Sequence, residues 1–190
     1  MAERFSKITQ YIPQLEGGEL FATIVREETE PGVTVLPTVE YTPLAKAIIG
    51  AFHEIADNDK EYSMDMLLAA YEHSPFAETV ITEVEVDSLD AKSVLALIAA
   101  VLHMERWDNG TLYSFYYSGK LLESLKRLKK CDMQSQKCLC PILNKEIAAY
   151  DCFDAALVYE ELSPLSELPK DMIFTDENQD ICLKCQYHPR

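Results

Sequence analysis

The stretch DAKSVLALIAAVLHMERW, residues 90–107, contains the longest unbroken apolar run of the chain, VLALIAAVL at 94–102. A membrane-spanning helix needs about 20 apolar residues, so this run is too short to cross a bilayer. A helix that is apolar on nearly every side is instead buried in a protein core. We therefore predict a central helix from about Ser88 to Arg106, against which the other elements pack.

Towards the N-terminus, the pattern predicts two helices that flank a small β-hairpin. An amphipathic helix is expected at about 3–14, and the β-branched runs LFATIV and VTVLPTVEY are separated by an acidic turn that ends in Pro31-Gly32. Such a pair of runs predicts a hairpin. Thr42-Pro43 then begins a helix, because a threonine N-cap followed by proline is a typical helix start.

Beyond the central helix, DNGTLYSFYYSG and KLLESLKRLKK predict two further helices. Asp108 or Asn109 is expected to cap the first, and Gly119 to end it, because glycine adopts a left-handed turn at little cost. These elements together predict a mainly helical α+β fold, with a compact helical domain over residues 1–130.

The composition changes after this domain. Residues 131–142 contain three cysteines and a proline, and a helix is predicted at about 144–162. The segment 163–190 is rich in prolines and acidic residues and has little periodicity, so we expect an irregular tail that orders only through packing or a metal ion. Residues 131–190 thus form a predicted cysteine-containing C-terminal extension.

Three segments, ITQYIPQLEGG, VEYTPLAKAIIGAFHE and LHMERWDNGTLYSFYYSGKLLESLKRLKK, resemble the bacterial domain-of-unknown-function family 6508. Members show a Tyr-Leu-Pro-like opening, a long apolar helix that ends in an Arg-aromatic pair, and a glycine turn before a leucine helix. The matching positions are Tyr11, Pro13, Arg106, Trp107, Gly110, Phe115 and Gly119. Trp107-Asp108 stands where members often carry Phe-Cys. The resemblance spans roughly residues 5–130 and implies no activity.

Two cysteine pairs, one C-x-C and one C-x-x-C, carry the sharpest chemical signal. They consist of Cys138, Cys140, Cys182 and Cys185. Four thiolates suit a closed, tetrahedral, structural zinc site, in which Cys131 or His188 could replace one cysteine. Unligated or redox-active thiols, and disulfides, are the alternatives. Cys152 lies on the apolar face of a predicted helix and is expected to be a small buried hydrophobe.

The formal net charge is −15, with 32 acidic and 17 basic residues spread along the chain. Such a surface repels nucleic-acid phosphate and anionic membranes, so we expect neither as a direct ligand. A basic protein surface is the expected partner. The N-terminus MAERFSKITQ lacks the pattern of a secretory signal, so a cytoplasmic location is expected.

Four residues at the end of the central helix and on the next helix are candidates for partner binding. Tyr113 and Tyr117 lie at i, i+4, and Arg106 and Trp107 precede them. Tyrosine, tryptophan and arginine are enriched in binding hot spots. The alternatives are core packing, with Trp107 filling the core, and self-association into a homo-oligomer through the same helix.

The sequence contains no H-E-x-x-H, P-loop, G-x-S-x-G or G-x-G-x-x-G motif. We therefore expect a non-enzymatic, protein-binding module from a bacterium or mobile element. One version is an inhibitor of a host nucleic-acid-binding defence complex. The alternative is a small metal-dependent enzyme or nucleic-acid-processing factor that uses the cysteines or His103 and Arg106.

Overall fold

In the computed structural model, which describes residues 4–26, 37–185 and 187–188, the predicted central helix is present as Ala91–Met104. Every side chain from Val94 to Val101 is buried. Its N-terminus lies later than predicted, because Ser88 belongs to a preceding 3₁₀ turn. Asp90 caps the helix, and its carboxylate accepts the backbone N–H of Ser93 at 2.8 Å.

The described residues form two compact units, one over Arg4–Lys129 and one that begins at Lys130. Both are helical and each contains one antiparallel hairpin, so the predicted mainly helical α+β fold is confirmed. No helix in the described ranges is long and apolar enough to span a bilayer.

In its described residues, the first unit contains two strands and six α-helices, and a seventh α-helix begins there. The elements are α1 Ser6–Thr9, α2 Ile12–Glu16, β1 Ala22–Val25, β2 Thr38–Tyr41, α3 Pro43–Asn58, α4 Met64–Glu72, α5 Ala91–Met104, α6 Thr111–Tyr117 and α7 Lys120–Ser135. Helices α4 and α6 both pack on α5. Helix α7 begins in this unit and ends beyond Lys130.

The predicted first helix is divided into α1 and α2, because Pro13 begins a new helical turn after Tyr11. Its apolar side chains are nevertheless buried as expected. The hairpin is confirmed, with β1 antiparallel to β2 and Ala22 opposite Tyr41. Its predicted turn at Pro31-Gly32 lies outside the described residues.

Two predicted helix boundaries of the first unit are confirmed. Thr42 caps α3, and its Oγ1 accepts the backbone N–H of Ala45 at 3.5 Å. Gly119 follows α6 with φ of 83°, a left-handed conformation in which a side chain would be strained.

The C-terminal unit contains β3 Lys137–Cys140, β4 Lys145–Ala148, α8 Ala149–Tyr159 and α9 Asp176–Leu183. The helix expected at 144–162 is therefore too long, since its first residues form β4 and pair with β3. The tail is also less irregular than expected. Thr175 caps α9, and the fully buried Tyr159 donates its hydroxyl to the carbonyl of Ile173 at 3.0 Å.

Helix α5 gives a direct test of its cap. We expect Asp90→Ala to lower the free energy of unfolding by about 1 kcal/mol at neutral pH, because a backbone N–H loses its acceptor. Asp90→Asn should retain most of the stability, since asparagine caps as well as aspartate. Urea unfolding followed by far-UV circular dichroism measures both.

The pH dependence separates the charge from the cap. The hydrogen bond from the Ser93 N–H lowers the pKa of Asp90. A carboxyl whose folded-state pKa is lowered stabilises the fold above the unfolded pKa, about 3.9, and this contribution is lost as the pH falls through the folded value. Any advantage of the wild type over Asp90→Asn should therefore decrease as the pH falls below the unfolded pKa of about 3.9. An Asp90→Ala chain as stable as the wild type at neutral pH would contradict the assignment.

Candidate functional site

The turn between α5 and α6 is held by one carboxylate. Glu105 accepts the backbone N–H of Gly110 through Oε1 at 2.9 Å and that of Leu112 through Oε2 at 2.7 Å. It thereby satisfies two N–H groups at the start of α6. The predicted cap by Asp108 or Asn109 is wrong, because Gly110 occupies the N-cap position with φ of 109° and the side chain that reaches this helix start is that of Glu105.

The same turn is bound to strand β2. The side-chain oxygen of Asn109 accepts the backbone N–H of Val39 at 2.6 Å, and the hydroxyl of Tyr41 accepts that of Tyr113 at 3.2 Å. Burial, together with a hydrogen bond to the Glu105 carboxylate, raises the pKa of Tyr41. Tyr41 therefore remains a neutral donor to Glu105. These hydrogen bonds hold the turn between α5 and α6 to the start of α6 and to strand β2.

The four predicted partner-binding residues lie on this turn and on α6. Trp107 is 84% exposed and Tyr117 is 78% exposed, while Arg106 is exposed and Tyr113 is half-buried. The Tyr113 and Tyr117 rings stack with their centroids 5.9 Å apart. The alternative in which Trp107 fills the core is wrong, and the role of these residues in binding stays a prediction.

An open groove of about 540 Å³ lies beside the turn. Its apolar lining residues are Ile24, Pro37, Val39, Val80, Ile81, Met104 and Tyr113. Asp108 is the one charged side chain among the lining residues of the described ranges. Ile24 and Val80 expose 51% and 59% of their surface. The sequence offered only a weak signal for this groove, the apolar pair Val80-Ile81 within an otherwise acidic, irregular segment.

His103 and Arg106, the candidate acid–base pair, are both exposed. The nearest carboxylate in sequence, Glu105, is engaged with backbone N–H groups of α6. The turn between α5 and α6 is thus built around structural hydrogen bonds, and the enzymatic alternative stays untested.

The second candidate site is a cluster of thiols in the C-terminal unit. A small cavity of about 10 Å³ lies among ligand-type side chains from β3, α8 and the end of the chain. These side chains are Cys140, Cys152, Cys182, Cys185 and His188. Cys138 lies on the same face of β3 as Cys140 and hydrogen-bonds to Cys152. The structure therefore brings the four predicted metal-binding cysteines together and adds Cys152 to them.

His188 faces this cluster with one ring nitrogen and a carboxylate with the other. Its Nδ1 lies 3.9 Å from Cys182 Sγ, and its Nε2 lies 2.8 Å from Glu160 Oε1. The His188 side chain is 10% exposed. The backbone N–H of Tyr187 points to the sulfur of Cys185, at 3.5 Å.

Burial favours the protonated form of three of these thiols. Burial raises the pKa of Cys152 to about 12 and that of Cys182 to about 11, and it also raises the pKa of Cys138. None of these three is in a disulfide. Within the described parts of the chain, no three His, Cys, Asp or Glu side chains already stand at positions that hold a metal ion. The zinc site stays a prediction. Cys152, expected to be a small buried hydrophobe, is half-buried and hydrogen-bonds to Cys138.

The fold and the two sites define a mainly helical α+β protein with an aromatic surface on its first unit and a thiol cluster on its second. The chain belongs to the family of unknown function DUF6508, whose family model matches residues 1–134. The resemblance seen in the sequence is thus confirmed, and the thiol cluster lies beyond the matched residues. No curated protein and no solved structure matches the chain.

The role of Glu105 can be measured as stability. We expect Glu105→Ala to lower the free energy of unfolding by about 2 kcal/mol, because two N–H groups of the α6 start lose their acceptor. Glu105→Gln keeps one acceptor oxygen and should lose less. Urea unfolding followed by far-UV circular dichroism reports the change.

Glu72→Ala, an exposed glutamate at the end of α4, is the matched control and should change stability little. Equal losses for Glu72→Ala and Glu105→Ala would show that the Glu105 hydrogen bonds do not hold the turn.

Proposed function

We propose that the chain is a non-enzymatic protein-binding module whose first unit binds a basic protein segment. The binding surface consists of Arg106, Trp107, Tyr113, Tyr117 and the groove beside them, and we call it the Trp107 surface. The observation that carries the proposal is the exposure of Trp107, which is 84% on a turn fixed by hydrogen bonds.

Removing apolar surface from water is favourable by about 25 cal/mol for each Å². A large aromatic side chain that is exposed in the free protein has not yet gained this free energy. When a partner covers that side chain, this free energy becomes available for binding. The backbone of the turn is already fixed by Glu105 and Asn109, so little conformational entropy of the turn remains to be lost on association. An exposed tryptophan on a fixed turn, followed by two stacked tyrosines on α6, has the composition of a binding hot spot.

The charge around the groove supports a basic occupant. Asp108 lies in the groove wall, and the exposed Glu78 and Glu83 flank the segment that contains Val80. The whole chain carries a net charge of −15. A segment that combines an apolar side chain for the groove with lysines or arginines for these carboxylates is complementary in both respects.

A nucleic-acid-binding protein is a concrete partner of this kind. Its basic surface is built to bind phosphate, and an acidic module that covers this surface competes with the nucleic acid. We extend the proposal to an inhibitor of a host defence complex that binds nucleic acid, carried by a bacterium or a mobile element. The support for this extension is the sign and size of the net charge.

Selection from a displayed random-peptide library tests the proposal with the full-length chain as bait. We expect enriched peptides to combine lysine or arginine with large apolar residues. Trp107→Ala should weaken a selected peptide by at least about tenfold, as loss of a hot-spot residue does. Fluorescence anisotropy of the labelled peptide measures the dissociation constant, which should rise with salt concentration.

Met66→Ala removes an exposed apolar side chain on α4 and is the matched control. It should leave the affinity unchanged. The proposal fails if the enriched peptides have no basic bias, or if Trp107→Ala and Met66→Ala bind equally well. Sedimentation of the chain alone shows whether a second copy occupies the surface instead.

A further inference from the structure

We propose that the C-terminal unit binds one zinc ion in the small cavity among the thiols, with Cys140, Cys182, Cys185 and His188 as its four ligands. This site is separate from the Trp107 surface and does not depend on the proposed function. It differs from the ligand set predicted from the sequence, because His188 takes the place of Cys138.

The local backbone brings three of the ligands together. The N–H of Cys185 donates to the carbonyl of Cys182 at 3.0 Å, and the N–H of His188 donates to that of Cys185 at 3.1 Å. Two successive turns of this type place residues three apart on the same side of the chain. The spacing C-x-x-C-x-x-H thus directs all three side chains towards the cavity that they line.

The orientation of His188 is typical of a metal ligand. Ligating histidines almost always hydrogen-bond through their other ring nitrogen to a carboxylate, a carbonyl or water. Here Nε2 is 2.8 Å from Glu160 Oε1, and Nδ1 is left to face the sulfur of Cys182. This arrangement selects the tautomer in which Nδ1 has a lone pair directed at the cavity.

The distance between Cys182 Sγ and His188 Nδ1 is close to the distance between two ligand atoms of one zinc ion. In a tetrahedron with a Zn–S bond of about 2.3 Å and a Zn–N bond of about 2.05 Å, the sulfur and nitrogen lie about 3.6 Å apart. Cys182 Sγ and His188 Nδ1 are separated by 3.9 Å. These two atoms therefore need to move only slightly closer together to bind the same zinc ion.

The fourth ligand comes from the hairpin. Cys140 is buried at the end of β3, and Pro141, Ile142 and Met172 complete the apolar wall of the cavity. A dry, enclosed site with four protein ligands is typical of structural zinc. The N–H of Tyr187, directed at Cys185 Sγ, would further stabilise a thiolate there.

Cys138 and Cys152 are assigned to a separate pair because their thiols hydrogen-bond to each other. Cys152 also lines the cavity, but its thiol is engaged with that of Cys138. Zinc binding then requires the four ligand side chains to move closer together. No three of them already stand at metal-binding positions in the described residues.

Cobalt titration tests the proposal. The full-length chain is purified under reducing conditions, treated with a chelator and titrated with Co²⁺. We expect about one equivalent to bind, with thiolate-to-cobalt charge-transfer bands and the strong visible bands of tetrahedral cobalt, and Zn²⁺ should displace it. Failure to bind Co²⁺ or Zn²⁺ would overturn the proposal.

Variants identify the ligands. Cys182→Ser should abolish the tetrahedral spectrum, whereas His188→Ala should weaken Co²⁺ by at least about tenfold and shift its visible bands, because an oxygen ligand replaces nitrogen. Cys138→Ser and Cys131→Ser are the matched controls and should leave both the affinity and the spectrum unchanged. Because His188 follows α9 and lies in no helix or strand, its variant tests the site even where a core cysteine variant unfolds the unit.

A different pattern among the variants would contradict the proposed ligand set. If Cys138→Ser loses cobalt while His188→Ala keeps the wild-type affinity and spectrum, the proposed ligand set is wrong. Glu160→Gln provides a second measurement on the histidine. It should reduce the affinity about tenfold while leaving the band positions of a three-sulfur, one-nitrogen site in place.

Discussion

Burial of α5 on all sides is the constraint on which the first unit depends. A helix without a polar face must be covered all round, so its neighbours α4 and α6 pack against it and the chain must turn back at its C-terminal end. Glu105, the first residue after α5, makes that turn possible because its carboxylate satisfies the start of α6. Trp107, two residues further on, remains outside the core.

Elements with strong local signals could be predicted from the sequence. The apolar run of α5, the Thr42 cap and the Gly119 stop each depend on residues that are adjacent in the chain. The β3–β4 hairpin could not, because KCLC and KEIA have few β-branched residues and form strands only by pairing with each other and packing against α8. Propensity favoured a helix there, and tertiary contacts decided otherwise.

The sites divide in the same way. Spacing identified the cysteine pairs, but the position of Cys152 beside Cys138 depends on how α8 crosses the hairpin, which no local pattern contains. The role of Glu105 was missed because capping rules consider the N-cap residue itself, whereas this carboxylate reaches forward to Gly110 and Leu112. The sequence indicates which residue types can bind a metal or accept a hydrogen bond. Only the fold shows which residues they contact.

The exposure of Trp107 also determines what the intrinsic fluorescence of this protein measures. It is the single tryptophan of the chain, and its indole already stands in water when the protein is folded. Unfolding therefore changes its surroundings little, so its fluorescence emission should change little when the core is lost. A partner that covers the ring would move it into an apolar environment. The intrinsic fluorescence of this chain thus separates association from denaturation, two events that most proteins report through the same signal.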